Sequence, residues 1–356
     1  MEALRQDLLA QAPAFAGRPV VSIFIGGGTP SLLPPASVAR FLEFASTLLD
    51  LAACEEITLE ANPGTIERGR FAEYRAAGIT RVSLGAQSFQ PALLSALGRI
   101  HSADETRRAA AELHAAGLRN FNLDLMVGLP GQDEKTALMD VGEALALEPA
   151  HISHYQLTLE PGTVFGGRPP AGLPAHDMAA DMQEHCHEVL AAAGYRRYEI
   201  SAFAREGQRC AHNLNYWEFG DYIGVGAGAH GKRTEVATGR IERTIREREP
   251  RRYMARGAHG PVSSQVVPAA ELPFEFMMNA LRLIDGFTTS LYEERTGQDW
   301  SAIAGSMQGL EQRGMVESSG SLWRPTRLGS GFLNEMLLEF IDMPGAEHSV
   351  RVRKTL

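Results

Sequence analysis

Short apolar runs alternate with amphipathic stretches through the first half of the chain. Strand-like runs fall at 20–25, 56–62, 81–88, 120–128 and 151–160, with helical patterning over 35–50, 66–77, 103–116 and 133–147. A further helix is predicted over 3–13, ahead of the first run. Val, Ile and Phe crowded into so few positions suit parallel strands buried on both faces. Strand alternating with helix predicts parallel pairing and right-handed crossovers. A unit of roughly thirty residues recurring in this way predicts a barrel or part of one.

The first run ends abruptly at Gly26-Gly27-Gly28-Thr29-Pro30. Three glycines remove every Cβ at a strand's carboxyl end, so backbone N–H groups can approach a ligand closely. The other runs end in polar groups as well: Glu60 with Asn62, Gln87 with Ser88, Asp124, and Gln156 with Thr158. In a parallel barrel such ends converge on one mouth, where ligands sit.

The pattern changes after about residue 165, where Pro169, Pro170, Gly172 and Pro174 mark a break. A helix is predicted over 175–193, then the aromatic stretch 194–199, then Cys210-Ala211-His212-Asn213-Leu214-Asn215-Tyr216-Trp217. A charged stretch at 240–252 leads into a Gly-, Pro- and Ser-rich linker near 257–270. The remainder reads as helices over 272–284, 289–297 and 301–313, a hairpin around Ser318–Ser321 and a last helix over 328–342. That order resembles a winged-helix module in a packing role. The expected division is 1–165, a partial barrel; 166–265, its extension; 266–342, a helical domain; and 343–356, a tail.

Composition narrows the function classes. Lys and Arg number 34 against 43 Asp and Glu, a net charge of −9, which weighs against a nucleic-acid partner. The first twenty residues lack the apolar centre of a secretory signal, and no window approaches about eighteen apolar residues, so no membrane span is expected. Three widely separated cysteines, Cys54, Cys186 and Cys210, make no disulfide framework and fit a reducing cytoplasm.

Two motif-like stretches lead elsewhere. Gly226–Gly231 fits Gly-x-Gly-x-x-Gly, but Lys232, Arg233 and Thr234 after it are polar without a helical stripe, so a tight turn is expected rather than a dinucleotide site. His185-Cys186-His187 lies in a predicted helix, where neighbours point about 100° apart and cannot converge on one ion. No Ser/His/Asp arrangement shows a nucleophile elbow.

Six stretches, in order, carry a family resemblance. They are Gly-Gly-Gly-Thr-Pro-Ser (26–31), Leu-Glu-Ala-Asn-Pro (59–63), Gly-Ala-Gln-Ser-Phe (85–89), Gly-Arg-Ile-His (98–101), Asn-Leu-Asp-Leu-Met-Val-Gly-Leu-Pro (122–130) and His-Asn-Leu-Asn-Tyr-Trp (212–217). The chain resembles the radical S-adenosylmethionine proteins related to oxygen-independent coproporphyrinogen III oxidase. The His-Asn-x-x-Tyr-Trp stretch is similar to that of the HemW-type haem chaperones. The resemblance implies a partial (β/α)6 barrel with a C-terminal helical domain. It implies S-adenosyl-L-methionine bound by Gly27, Gly28, Thr29, Glu60, Gln87, Arg99 and Asp124. It also implies haem bound by His212, with Tyr216 and Trp217 placed to cover the porphyrin; Cys210, two residues away, is an alternative thiolate iron ligand to consider, with a loop cysteine of no such role the preferred reading. Delivery of haem to respiratory haem proteins is implied with it. The enzymatic alternative within the same family is oxygen-independent coproporphyrinogen III dehydrogenation. The assembly state stays open, a homodimer included.

One departure stands out. The family holds a [4Fe–4S] cluster with Cys-x-x-x-Cys-x-x-Cys after its first barrel strand, and no such motif occurs in this sequence. The chain starts in what looks like the helix after that loop, which reads as an N-terminal truncation lacking the first strand. No cluster ligand and no catalytic residue is therefore assigned, and radical chemistry is not expected of this chain.

Overall fold

The computed structural model describes residues 1–64, 69–256 and 263–341. Among these the chain forms two compact units that do not follow sequence order. One holds residues 1–20, 41–53 and the described part of 211–341; the other holds 21–40 and the described part of 54–210.

The second unit is built on a seven-stranded sheet. Its strands are β1 (Ser22–Ile25), β2 (Glu56–Ala61), β3 (Arg81–Gln87), β4 (Phe121–Val127), β5 (His151–Gln156), β6 (Arg196–Glu199) and β7 (Ala202–Ala204), in the order β1-β2-β3-β4-β5-β7-β6. The first five strands pair in parallel, as expected of a barrel segment. The sheet is then extended by an antiparallel hairpin, β6–β7, which the sequence pattern did not announce. Each strand is a residue or more shorter than its apolar run, and Asp124 lies inside β4 rather than at its end. The predicted helix over 66–77 is observed as Phe71–Ala76, its first residues falling outside those described.

Period-two alternation gives this sheet two faces. Val82, Leu84, Leu123, Leu125, Val127 and Ile152 are fully or almost fully buried on the face covered by helices Ala103–Ala115, Glu134–Ala146 and His176–Ala192. Two of these helices start in reciprocal caps, Ser102 with Glu105 and Asp133 with Thr136, which satisfy amides that a helix start leaves open. The other face carries Ser83, Asn122, Asp124, His151 and Ser153, joined by hydrogen bonds.

In the first unit, helix Glu2–Gln11 is fixed by a buried ion pair, Asp7 to Arg246 at 3.1 Å. Asp7 also accepts from the Tyr253 hydroxyl and the Gly226 amide. A three-stranded antiparallel sheet comprises β8 (His230–Thr234), β9 (Ile241–Ile245) and β10 (Ser263–Val266). Gly226–Ala229 is a turn leading into β8, not a strand–turn–helix phosphate loop. Helices Leu272–Ala280, Thr289–Thr296 and Ser301–Gln312 enclose Phe276, Tyr292, Met307 and Leu310, each fully buried. The expected wing is present as β12 (Val316–Ser319) and β13 (Leu322–Pro325), with β11 (Phe287–Thr288) added beside β13. The predicted last helix is split into Arg327–Gly331 and Leu333–Leu338. The linker residues 257–262 and the tail 343–356 lie outside the described residues. No helix among those described is long and apolar enough to cross a membrane.

Candidate ligand sites in the two units

The glycine loop after β1 is exposed, and Gly27 and Gly28 adopt φ of +84° and +66°, where a Cβ is disfavoured. The Gly27 amide donates to Oε2 of Glu60, on β2, at 2.9 Å. A Cβ on Gly26 would stand 2.6 Å from the Phe24 ring and 3.0 Å from the Glu60 carboxyl carbon, so a larger residue there would displace one of these side chains. Thr29 Oγ1 accepts from Asn62 Nδ2 at 3.3 Å. These contacts set Gly27, Thr29 and Glu60 beside one another.

Gln87 ends β3 at φ +66°, an unusual conformation for a residue with a side chain, beside a register break between β3 and β4. Buried Asp140, on helix Glu134–Ala146, holds the next two residues: it accepts from Ser88 Oγ at 2.6 Å and from the Phe89 amide at 2.8 Å. Asp124 accepts from Asn122 Nδ2 at 2.8 Å and Ser83 Oγ at 3.3 Å. Burial raises its carboxyl pKa, against lowering by Asn122 and by the Arg81 guanidinium. Arg99 is exposed in the loop after helix Pro91–Ala96, and among the described residues its side chain has no hydrogen-bond partner.

Glycine amides after β1, the carboxyls of Glu60 and Asp124 and the amide of Gln87 are groups that suit a zwitterionic amino-acid nucleoside. Carboxylates accept from its ammonium and ribose hydroxyls, and a free arginine can fork onto its carboxylate. Ser83, Asn122 and Asp140 support these positions without having been singled out as site residues, and Asn62, read as a strand-end polar group, holds Thr29; for Asn122 the available signal was its period-two spacing from Asp124.

An iron–sulfur cluster is not accommodated by the cysteines present. Among the described residues no three His, Cys, Asp or Glu side chains gather in a metal-binding group. Cys186 is buried on helix His176–Ala192 with its thiol pushed up to about 12 by burial. Cys210 is 1% exposed and donates to Glu56 Oε1 at 3.3 Å, which removes it as an iron ligand to consider. His187 packs against His154 and Phe203, not toward His185.

In the other unit, Ala211–Trp217 forms a short helix. His212 and Tyr216, four positions apart, share a face and make a T-shaped contact at 4.9 Å; Tyr216 in turn stacks on Tyr222 at 4.4 Å. Burial pushes the Tyr216 phenol up to about 12. Trp217 does not join it. Five positions after His212, it points about 140° away, its indole under the Arg282 guanidinium at 4.4 Å and its N–H buried without a partner. Tyr216 and Tyr222, and not the expected pair Tyr216 and Trp217, therefore lie together beside His212. A half-buried imidazole flanked by aromatic rings suits a flat, iron-bearing macrocycle.

Comparison with known proteins agrees with this architecture. A profile of the radical SAM superfamily matches residues 3–141, and one of the HemN C-terminal domain matches 267–332. The chain is 46% identical over 338 residues to heme chaperone HemW of Escherichia coli, covering 95% of this chain and 88% of that one. It is 45% identical to heme chaperone HemW of Haemophilus influenzae, over 95% and 88% of the two chains. It is 35% identical to the mitochondrial radical S-adenosyl methionine domain-containing protein 1 of Bos taurus, over 96% and 80%. Among solved structures, coproporphyrinogen III oxidase (HemN) from Escherichia coli superimposes with a TM-score of 0.77 at 20% identity, covering 95% and 81%, a likeness of fold.

Proposed function

The chain belongs to the HemW family of heme chaperones within the radical SAM superfamily, and from that premise we propose that it binds haem through His212 and passes it to client haem proteins. The observation that carries the site is the common face of His212 and Tyr216 on helix Ala211–Trp217. There an imidazole nitrogen supplies an axial ligand to iron, and the tyrosines offer a flat apolar bed to the porphyrin. Respiratory haem proteins as recipients and the cytoplasm as the place of action belong to the same reading.

S-adenosylmethionine is the second ligand. Its amino-acid end lies along the amides of Gly27 and Gly28 and the Thr29 hydroxyl, with Glu60 and Asp124 accepting from its ammonium and ribose hydroxyls. Gln87 contributes its amide, and Arg99 pairs with the carboxylate. The superfamily's chemistry, reductive cleavage of this molecule at an iron–sulfur cluster, needs thiolates that Cys54, Cys186 and Cys210 do not provide, so no radical step is assigned to these residues.

The test is a haem titration followed at the Soret band, with His212→Ala alongside. Saturable binding that weakens at least tenfold in the variant is expected. Absence of binding, or equal binding by both proteins, would overturn the assignment.

A further inference from the structure

The sheet face that carries Asp124 also carries a chain of hydrogen bonds that no ligand contact uses. Asn122 Nδ2 lies 2.8 Å from both Asp124 Oδ1 and Ser83 Oγ. Asn122 turns its amide nitrogen toward Asp124, to which it donates, and its amide oxygen away from the carboxyl. That oxygen lies 2.6 Å from His151 Nδ1 and 3.0 Å from Ser153 Oγ. The oxygen can only accept, so His151 carries its hydrogen on Nδ1. Burial and the nearby Arg81 guanidinium keep the imidazole neutral. Its Nε2 is therefore bare, and it accepts from the Tyr198 hydroxyl at 2.8 Å. Both hydrogens and both lone pairs of the Asn122 amide are thereby used. His151 is fully buried, and β4 and β5 pair Asn122 with His151 directly.

We propose that His151 is a positioning residue for Asp124. Its Nδ1–H locks the Asn122 amide with the nitrogen toward the carboxylate. A flipped amide would turn its oxygen on the carboxylate oxygens and push Asp124 out of register. Held as it is, Asp124 keeps its remaining lone pairs for the hydroxyl or ammonium donors of S-adenosylmethionine. The inference rests on reading Asp124 as a contact to that molecule.

The probe is S-adenosylhomocysteine, titrated calorimetrically into the full chain. His151→Leu, which lacks the donor, should weaken binding roughly tenfold, the scale of one buried hydrogen bond to a charged group. His151→Asn, which places an N–H near the position of Nδ1, should stay within roughly threefold of the parent. A packing role alone would make the two variants fail alike, and that result overturns the proposal, as does parental binding by a folded His151→Leu. A second readout needs no ligand: ¹⁵N spectra of the histidine-labelled chain should show His151 protonated on Nδ1 and bare on Nε2, and the Nε2–H tautomer overturns the proposal. Tyr198→Phe, which keeps the ring, should leave Nδ1 protonated, because the Asn122 oxygen still accepts from it. Asp124→Asn separates the two levels. If it leaves probe binding unchanged, the reading of Asp124 as a ligand contact fails. If it weakens binding while His151→Leu does not, only the positioning role fails.

Discussion

The backbone amide of Gly27 donates to the Glu60 carboxylate at 2.9 Å, so the loop after β1 is tied to the end of β2 by one side chain. The contact is exposed, and it joins a glycine backbone to a carboxylate.

Glu60→Ala should therefore cost little in stability, on the order of 1 kcal/mol or less, because water can replace the carboxylate at an exposed amide. Affinity for S-adenosylhomocysteine should fall by roughly five- to thirtyfold, since a charge-assisted contact is lost. Calorimetric titration beside a thermal melt checks both; unchanged affinity would remove Glu60 from the site.

Gly26→Ala puts a Cβ 2.6 Å from the Phe24 ring, and Gly27→Ala forces a side chain to φ +84°. Both variants should lose stability, with about 1–2 kcal/mol for the left-handed backbone at Gly27. Urea midpoints measure this, and a Gly27→Ala midpoint equal to the parent's would contradict it.

Tyr216 and Trp217 should behave differently although they are neighbours. Tyr216→Leu should weaken haem binding severalfold, because the ring shares His212's face. Trp217→Phe should lower the melting temperature while leaving the Soret titration unchanged, because Trp217 packs under Arg282. The reverse pattern would restore Trp217 as a porphyrin contact.

His154 and His187 form a buried pair, ring centroids 5.4 Å apart, between β5 and helix His176–Ala192. Burial lowers His154 to about 4 and His187 to about 2, with Arg197 nearby adding to both shifts. In the unfolded chain each titrates near 6.5. Below that pH the unfolded state binds more protons than the fold does. Stability is therefore at its full value above about pH 6.5 and is lost as pH falls, down to about 4 for His154 and about 2 for His187, on the order of 2 kcal/mol for each by pH 5. Urea unfolding at pH 7.5 and pH 5 measures the loss, and the double variant His154→Phe/His187→Phe should flatten it. An unchanged slope would show that these histidines do not set the acid limit.

Asp7 and Arg246 are 3% and 5% exposed in their side chains. Removing one partner strands the other's charge, so Asp7→Ala should destabilise the chain by about 3–5 kcal/mol, whereas Asp7→Ala with Arg246→Met should recover part of it. Equal losses in single and double variants would mean that the ion pair adds no coupling.

Much of the architecture was legible from local pattern. Apolar runs near 20–25, 56–62, 81–88, 120–128 and 151–160 became the five parallel strands, although only one face of the sheet is apolar and the other carries Ser83, Asn122, Asp124, His151 and Ser153. The Gly26–Gly28 break and the acid at Glu60 marked strand ends. The β6–β7 hairpin was hidden, since residues 194–204 mix Arg, Tyr and Glu with no clean alternation. The grouping of residues 1–20 with the C-terminal unit was hidden too, because the Asp7–Arg246 pair spans most of the chain.

The sequence by itself determined the strand–helix order, the glycine loop, the aromatic stretch carrying His212 and the absence of a cysteine triplet from these residues. All of these depend on side-chain chemistry at positions close together in the chain. Only the tertiary structure decided which polar groups meet. Register sets Asn122 against His151 and Asp124 against Ser153, and a one-residue slip would turn each to the opposite face. Helix phase sets Tyr216 beside His212 and turns Trp217 toward Arg282. Periodicity states which face a residue occupies on its own element; the partners on that face come from other elements, and their placement is a property of packing.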